Sequence, residues 1–116
     1  MVRYRWGIFW ANLDPVQGSE QAGVRPVMVV SAETANQRLP VVAMLPLTSM
    51  RSSGRVYPTE VFLAKEITGL PKDSIVMAHQ IRTVAKHRLG DKCGEVSSIE
   101  LQQAIIHALN KFIPRV

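Results

Sequence analysis

The chain has 116 residues, of which 47% are hydrophobic and 20% charged, so it is long enough to bury its own core as one domain over residues 1–116. Its formal net charge is +5, from 14 basic and 9 acidic residues, which favours an anionic partner and nucleic acid above all. The single cysteine, Cys93, excludes an internal disulfide and a multi-cysteine metal site. No apolar run reaches the roughly 18 residues of a membrane span, and no signal peptide is evident, so we expect a cytoplasmic protein without membrane contact.

Two short apolar runs near the N-terminus predict a pair of strands joined by a polar loop. Residues 8–12 and 27–30 are rich in aromatic and β-branched side chains, and turn residues bound them. The loop between them, residues 15–26, is longer than a turn requires, and such loops often carry function. Because Pro26 favours an extended conformation for Arg25, that guanidinium is a candidate phosphate ligand, with a solvated surface arginine as the alternative. The polar residues of the loop are Ser19, Glu20, Gln21 and Arg25.

The middle of the chain predicts four more strands and one short helix. The helix is expected over residues 32–39, with Ser31 as its N-cap. The strands are expected over residues 41–48, 59–63, 74–78 and 80–84. Pro46 inside the first of them predicts an edge or a bulge, because proline cannot donate to a sheet.

The C-terminal segment predicts a helix that packs one face on the sheet. Ser97 and Glu100 fit a capping box, and Pro114 ends the pattern. The residues at helical spacing on the apolar face are Leu101, Ala104, Ile105, Ala108, Leu109 and Phe112. Ile106 lies off that face and hints at a second contact surface. Short strands with one closing helix predict a strongly bent antiparallel sheet or barrel.

The residues that carry chemistry are mostly basic. The three histidines, His79, His87 and His107, are not paired by any spacing, and no metal or nucleotide motif is present, so we expect no cofactor. Thr48 ends a predicted strand beside a loop that holds Arg51 and Arg55. The arginines that are candidates for one anionic groove are Arg25, Arg51, Arg55, Arg82 and Arg88.

Several blocks in one order give the sequence a family resemblance. They are Trp-Ala-Asn-Leu-Asp-Pro at 10–15, Gly-Ser-Glu-Gln-Ala-Gly-Val-Arg-Pro at 18–26, Pro-Leu-Thr-Ser at 46–49, Gly-Leu-Pro-Lys-Asp-Ser at 69–74 and Gln-Ile-Arg-Thr at 80–83. In this order they resemble the MazF/PemK family of toxin endoribonucleases. The resemblance implies a mainly β protein with helices, a small SH3-like β-barrel with a C-terminal α-helix, that acts as a homodimer. It also implies metal-independent, sequence-specific cleavage of single-stranded RNA, and an acidic antitoxin of the MazE type as partner.

The same resemblance assigns roles to residues. Arg25 and Thr48 match the catalytic pair of the family, and Arg82 matches a basic position near the RNA groove. Ser19, Glu20 and Gln21 match the loop that borders this groove, and Arg51 and Arg55 are predicted to join them as RNA ligands. The departures from the family pattern are Trp6 for Gly, Gly7 for Asp, and His79 and Ala85 where Asp is frequent.

The chemistry of RNA agrees with this assignment. The 2′-hydroxyl of RNA can act as the nucleophile, so the protein has to stabilise charge on a pentacoordinate phosphate and position the reacting oxygens. An arginine suits that role, whereas its pKa, above roughly 12, makes it a poor general base, and the base stays open. Two rivals are a gyrase poison of the CcdB type and a non-catalytic nucleic-acid-binding barrel. The chain ends at residues 112–116 without the Trp-Gly-Ile of the first rival.

Overall fold

The computed structural model of the protein describes residues 1–14, 18, 20 and 23–114, and these form seven β-strands and three α-helices. Two single 3₁₀ turns, Ala78–Gln80 and Lys86–Arg88, flank the sixth strand. In chain order the elements are β1 (Gly7–Asn12), β2 (Val24–Val29), α1 (Glu33–Arg38), β3 (Val41–Ser49), β4 (Glu60–Leu63), α2 (Lys65–Thr68), β5 (Ser74–Met77), β6 (Arg82–Ala85), β7 (Leu89–Glu95) and α3 (Ile99–Phe112).

The strands form one antiparallel sheet in the order β4-β5-β3-β2-β1-β7, and β6 also pairs with β3. The first half of β3, Val41–Met44, pairs with β6, and its end, Leu47–Ser49, pairs with β5. Pro46 lies between these two segments, where β3 exchanges one neighbour for the other, so a residue without an N–H is tolerated there. The predicted mainly β class with a C-terminal helix is confirmed, and the sheet is barrel-like without a pairing between β4 and β7 among the described residues.

Each face of the sheet covers its own hydrophobic cluster. Ile8 and Met28, opposite each other on β1 and β2, belong to one cluster, while Phe9 and Val27 belong to the other. This split follows from the alternation of side chains along a strand. Helix α3 covers the first cluster and buries Ile105 within it.

The helix boundaries differ in detail from those that the sequence predicts. Ser98, not Ser97, is the N-cap of α3: its Oγ accepts the Leu101 N–H at 3.3 Å and donates to the Glu100 carboxylate at 3.1 Å. The Ser-Ser doublet allows both registers, which is why the prediction was wrong by one residue. Phe112, expected on the buried face, is 49% exposed because the helix ends there.

At α1 the predicted cap is also wrong. The N-cap is Ala32, and Ser31 instead bonds the Asn36 side chain and accepts the Ala43 N–H at 3.0 Å, which ties the helix to β3. None of the helices in the described part of the chain has the length and hydrophobicity that crossing a membrane requires.

Candidate nucleic-acid interface

Arg25 and Thr48, far apart in sequence, lie on neighbouring strands at the same level of the sheet. β2 and β3 pair in register as far as Val27 and Pro46. Continuing that register by two residues places Arg25 opposite Thr48. The two side chains are both half-buried, and both line a groove of about 310 Å³.

The groove is bounded by two parts of the chain besides this pair. Strands β1 and β2 contribute Trp10, Val24 and Pro26, and the connection from α2 to β5 contributes Leu70, Pro71 and Lys72. The other lining residues are Gly23, Leu47, Ser49 and Ser74. Most of these side chains are apolar, and the cations are Arg25 and Lys72, so the groove combines a hydrophobic surface with positive charge.

Two glycines explain how the α2–β5 connection is held in place. Gly69 ends α2 in the left-handed conformation, φ 73°, and a Cβ there would lie 2.2 Å from the Cys93 carbonyl oxygen. On the facing strand β7, a Cβ on Gly94 would lie 2.1 Å from the Thr68 carbonyl oxygen. Since neither contact leaves room for a side chain, α2 packs directly on the backbone of β7. The Leu70 N–H then donates to Thr68 Oγ1 at 3.1 Å, which fixes the start of the groove wall.

The loop that follows Thr48 is organised around a buried carboxylate. Glu60, whose side chain is 1% exposed, accepts two hydrogen bonds from Arg51, at 2.8 Å to Oε1 and 2.7 Å to Oε2. The Tyr57 N–H donates to Glu60 Oε1 as well, at 3.0 Å. The Arg51 hydrogen bonds lower the pKa of Glu60, and the Tyr57 N–H lowers that pKa further. Glu60 therefore stays ionised at neutral pH and holds Arg51 in place.

Arg51 closes the loop on itself. Its Nη1 also donates to the Arg55 carbonyl oxygen at 3.0 Å, and its guanidinium lies 4.9 Å from the centre of the Tyr57 ring. The Arg55 guanidinium lies 5.8 Å from the same ring, and Arg55 is exposed. Of the two predicted RNA ligands in this loop, Arg51 is thus engaged by protein groups while Arg55 faces solvent. Sequence reasoning missed the role of Glu60, because a separation of nine residues gives no pairing signal.

Two other arginines hold the base of the loop between β1 and β2. Arg82 Nη1 donates to the Leu13 carbonyl oxygen at 3.2 Å, and Arg88 Nη1 donates to the Asp14 carbonyl oxygen at 3.0 Å. Across the loop, the Gly23 N–H donates to Asp14 Oδ1 at 3.0 Å. The predicted groove residue Arg82 therefore lies beside this loop, at its β1 end. Within the loop Glu20 is exposed, and Ser19 and Gln21 lie outside the described residues.

The positions that depart from the family pattern have identifiable surroundings. Trp6 adopts φ 68°, the region that favours glycine, and is held by hydrogen bonds from its N–H to Val29 and from Val96 to its carbonyl oxygen. A Cβ on Gly7 would lie 2.8 Å from the Phe9 ring, so a larger residue would displace that ring. His79 Nδ1 lies 2.9 Å from Thr59 Oγ1, beside the Glu60 loop. In the described ranges, no three His, Cys, Asp or Glu side chains come together as a metal site.

Comparison with known proteins places this geometry in a family. Residues 4–113 match the family model described as PemK-like, MazF-like toxin of type II toxin-antitoxin system. A mycobacterial endoribonuclease solved with its cognate antitoxin is 27% identical, with a TM-score of 0.77, over 97% of this chain and 95% of that one.

Two further solved structures share the fold over nearly their whole length. A second mycobacterial endoribonuclease is 26% identical, with a TM-score of 0.76, over 100% of this chain and 98% of that one. MazF from Deinococcus radiodurans is 24% identical, with a TM-score of 0.81, over 99% of both chains. Since the family model spans nearly the whole chain, the protein belongs to the PemK-like and MazF-like toxins of type II toxin-antitoxin systems.

Proposed function

We propose that the protein is a sequence-specific endoribonuclease that cleaves single-stranded RNA without a metal ion. The observation that carries the proposal is the meeting of Arg25 and Thr48 across β2 and β3 in a groove with positive charge. Two structural relatives of 26% and 27% identity are described as endoribonucleases, which supports the same activity here.

In this mechanism the substrate supplies the nucleophile. The 2′-hydroxyl loses its proton to a base and attacks the adjacent phosphorus, the bond from phosphorus to the 5′-oxygen breaks, and that oxygen takes up a proton. The products are a 2′,3′-cyclic phosphate and a 5′-hydroxyl. Arg25 stabilises the charge on the pentacoordinate phosphate, and the Thr48 hydroxyl donates a hydrogen bond beside it. No residue is assigned as the base.

We extend the proposal to the flanking contacts with RNA. We assign direct contacts to Arg55 and to the β1–β2 loop, including Ser19, Glu20 and Gln21. We assign Arg51 and Arg82 a positioning role as well, because their guanidinium groups already donate to Glu60 and to Leu13. Single-domain organisation over residues 1–116 and a cytoplasmic location are part of the same proposal.

Incubation with long RNA in EDTA, followed by mapping of the new 5′ ends, tests the activity. We expect cleavage at a short recurrent sequence and 5′-hydroxyl ends. Arg25→Ala should reduce the cleavage rate by about 10²–10³-fold, the usual effect of losing one charge-stabilising donor. Arg38→Ala, in the last turn of α1 and exposed, is the matched control and should cleave normally. A folded Arg25→Ala variant with normal activity would remove Arg25 from the site.

The same experiment separates the rival functions. A deoxyribose on the 5′ side of the scissile phosphate should stop cleavage and leave binding largely intact, because affinity comes mainly from phosphates and stacking. A non-catalytic barrel would bind RNA without cleaving it. A gyrase poison would cleave neither the unmodified RNA nor the deoxyribose-substituted one. Cleavage of the deoxy substrate, or a need for a divalent ion, would contradict the 2′-hydroxyl mechanism.

We also propose an acidic antitoxin and a homodimer. One of the mycobacterial relatives was solved with its cognate antitoxin. A chain of net charge +5 favours an acidic segment that competes with the RNA backbone, and its affinity should fall as salt is raised. Ile106, which suggested a second surface, lines an open groove of about 880 Å³ between α3 and the N-terminal residues Arg5 and Trp6. Light scattering at micromolar concentration tests the dimer, and a monomer only would contradict it.

A further inference from the structure

A partly exposed tryptophan lines the same groove as the Arg25–Thr48 pair. Trp10 is 38% exposed on β1, although Phe9 and Ala11 on either side are buried. It shares its sheet face with Ile8, which lies in the core, so this face passes from the core to open groove at Trp10. Its partner across the strands is Pro26, and 66%-exposed Val24 continues the surface. Trp10 and Val24 together form a partly exposed apolar surface inside a groove, which is typical of a binding site.

The opposite side of the groove brings a positive charge to this ring. Lys72 is exposed and lies in the connection that Gly69 and Gly94 hold against β7. No salt bridge to Lys72 is found within the part of the chain that the structure describes. The groove therefore offers an aromatic surface and a cation on its wall, in the same groove as the pair assigned to the phosphate.

The position of Trp10 relative to Arg25 suits one nucleotide. Because Trp10 pairs with Pro26 and Arg25 pairs with Ala11, the Trp10 and Arg25 side chains leave the β1–β2 hairpin on opposite faces. Both nevertheless line the groove, at the end where the paired register of β2 and β3 stops. In a nucleotide the ribose separates the base from the phosphate. One nucleotide in the groove can therefore place its base on Trp10 and its phosphate near Arg25. The volume of about 310 Å³ is at the lower end of small-ligand pockets, which fits a single nucleotide.

We propose that Trp10 and Lys72 form a nucleotide subsite, in which Trp10 stacks on the base next to the scissile phosphate and Lys72 binds a flanking phosphate. This inference rests on the proposed RNA cleavage and adds the groups that hold the neighbouring nucleotide. Stacking on an aromatic ring accepts any base, so Trp10 supplies affinity and position, and sequence preference comes from other contacts.

The test uses a labelled oligonucleotide that carries the mapped cleavage sequence with one 2′-deoxyribose at the scissile position, so that it binds without turnover. Fluorescence anisotropy gives Kd for the wild type and for Trp10→Ala, Trp10→Phe and Lys72→Gln. Trp10→Ala should raise Kd by about 5-fold to 100-fold, the effect of losing one stacked base, while Trp10→Phe retains most of the affinity. Phe62→Ala is the control, because Phe62 is 41% exposed on the edge strand β4, outside the groove.

An abasic nucleotide identifies the base that Trp10 contacts. Removing the base on one side of the scissile phosphate should weaken binding to the wild type as much as Trp10→Ala does, and should have little further effect on Trp10→Ala. Lys72→Gln should lower the slope of log Kd against log salt by about 0.7, the value for one phosphate contact with a single strand.

The outcomes separate this subsite from the proposed activity. A wild-type protein that neither binds nor cleaves RNA would overturn both the nucleotide subsite and the proposed RNA cleavage. If the wild type cleaves RNA but Trp10→Ala binds it unchanged, or the abasic and Trp10→Ala effects are fully additive, the subsite alone is overturned. Should Trp10→Ala fail to fold, the Lys72→Gln slope and the abasic penalty measured on the wild type still decide the question. An unchanged salt slope, or an abasic oligonucleotide that the wild type binds as tightly as the intact one, contradicts the proposal.

Discussion

Replacing Glu60 by glutamine tests whether the loop after Thr48 is ordered by one buried carboxylate. Glutamine keeps the shape of the side chain but offers one acceptor oxygen, while its NH₂ faces the donors of Arg51. The wild-type carboxylate accepts three hydrogen bonds, two from Arg51 and one from the Tyr57 N–H. Hydrogen bonds to a charged group contribute about 1.5–3 kcal/mol each when buried, and solvent access to Arg51, 34% exposed, reduces this.

We therefore expect Glu60→Gln to lower the free energy of unfolding by about 2 kcal/mol. For a domain of this size, that corresponds to a fall in Tm of about 8 °C, measured by circular dichroism at neutral pH. Glu66→Gln, an exposed glutamate on α2, should leave Tm unchanged. Urea titration of both variants gives the free energy directly.

The pH dependence gives the same reasoning a second check. Since Arg51 lowers the pKa of Glu60 in the folded state, the stabilisation is present above its ordinary pKa of 4.5. It is lost as pH falls through the lowered folded-state value. The difference in stability between wild type and Glu60→Gln should thus shrink below pH 4.5. Equal Tm values at pH 7, or a difference that grows in acid, would refute the role given to this carboxylate.

Two other positions yield predictions. Desolvation raises the pKa of Glu33, but hydrogen bonds from the Arg5 and Tyr4 N–H groups and neighbouring amides outweigh it and lower the pKa to about 2. Glu33→Gln should therefore unfold earlier than wild type above pH 4.5 and converge with it toward pH 2, which thermal scans across that range would show. Gly94→Ala places a methyl 2.1 Å from the Thr68 carbonyl oxygen and should destabilise by about 1–3 kcal/mol, measured by urea unfolding; an unchanged midpoint would mean that α2 shifts freely.

The elements that the sequence predicted best are those with a strong hydrophobic pattern. β1, β3, β4 and β5 lie within one residue of their predicted bounds at every end, because buried alternating or continuous apolar runs define them. β7, Leu89–Glu95, was missed because it is a largely exposed polar edge strand with two glycines and bulged pairing to β1. α2 was missed because four residues do not show helical periodicity.

The candidate site was predictable only in part. The residue types at Arg25 and Thr48 come from the family blocks, but their juxtaposition depends on the β2–β3 register, which no local pattern encodes. The sequence pattern around Gly69 predicts only a turn. The packing of this segment on β7 also requires Gly94, 25 positions further along the sequence, so only the fold shows why both residues are glycine. The groove role of Trp10 was hidden for the opposite reason, since an aromatic residue in a strand ordinarily predicts core.

The net charge of the chain overstates the number of arginines whose donors are available to contact an RNA directly. Arg51, Arg82 and Arg88 each donate to a carboxylate or a carbonyl oxygen of the protein, so part of their hydrogen-bonding capacity is already used to hold loops. Each still adds to the field that attracts a polyanion, because its charge is not removed by a hydrogen bond to a carbonyl. Arg51 is the exception, since Glu60 neutralises it locally. The other cations contribute to the long-range attraction, which salt screens, whereas direct phosphate contact is limited to cations whose donors remain available. The number of those direct contacts sets the counterion-release part of the salt dependence of binding.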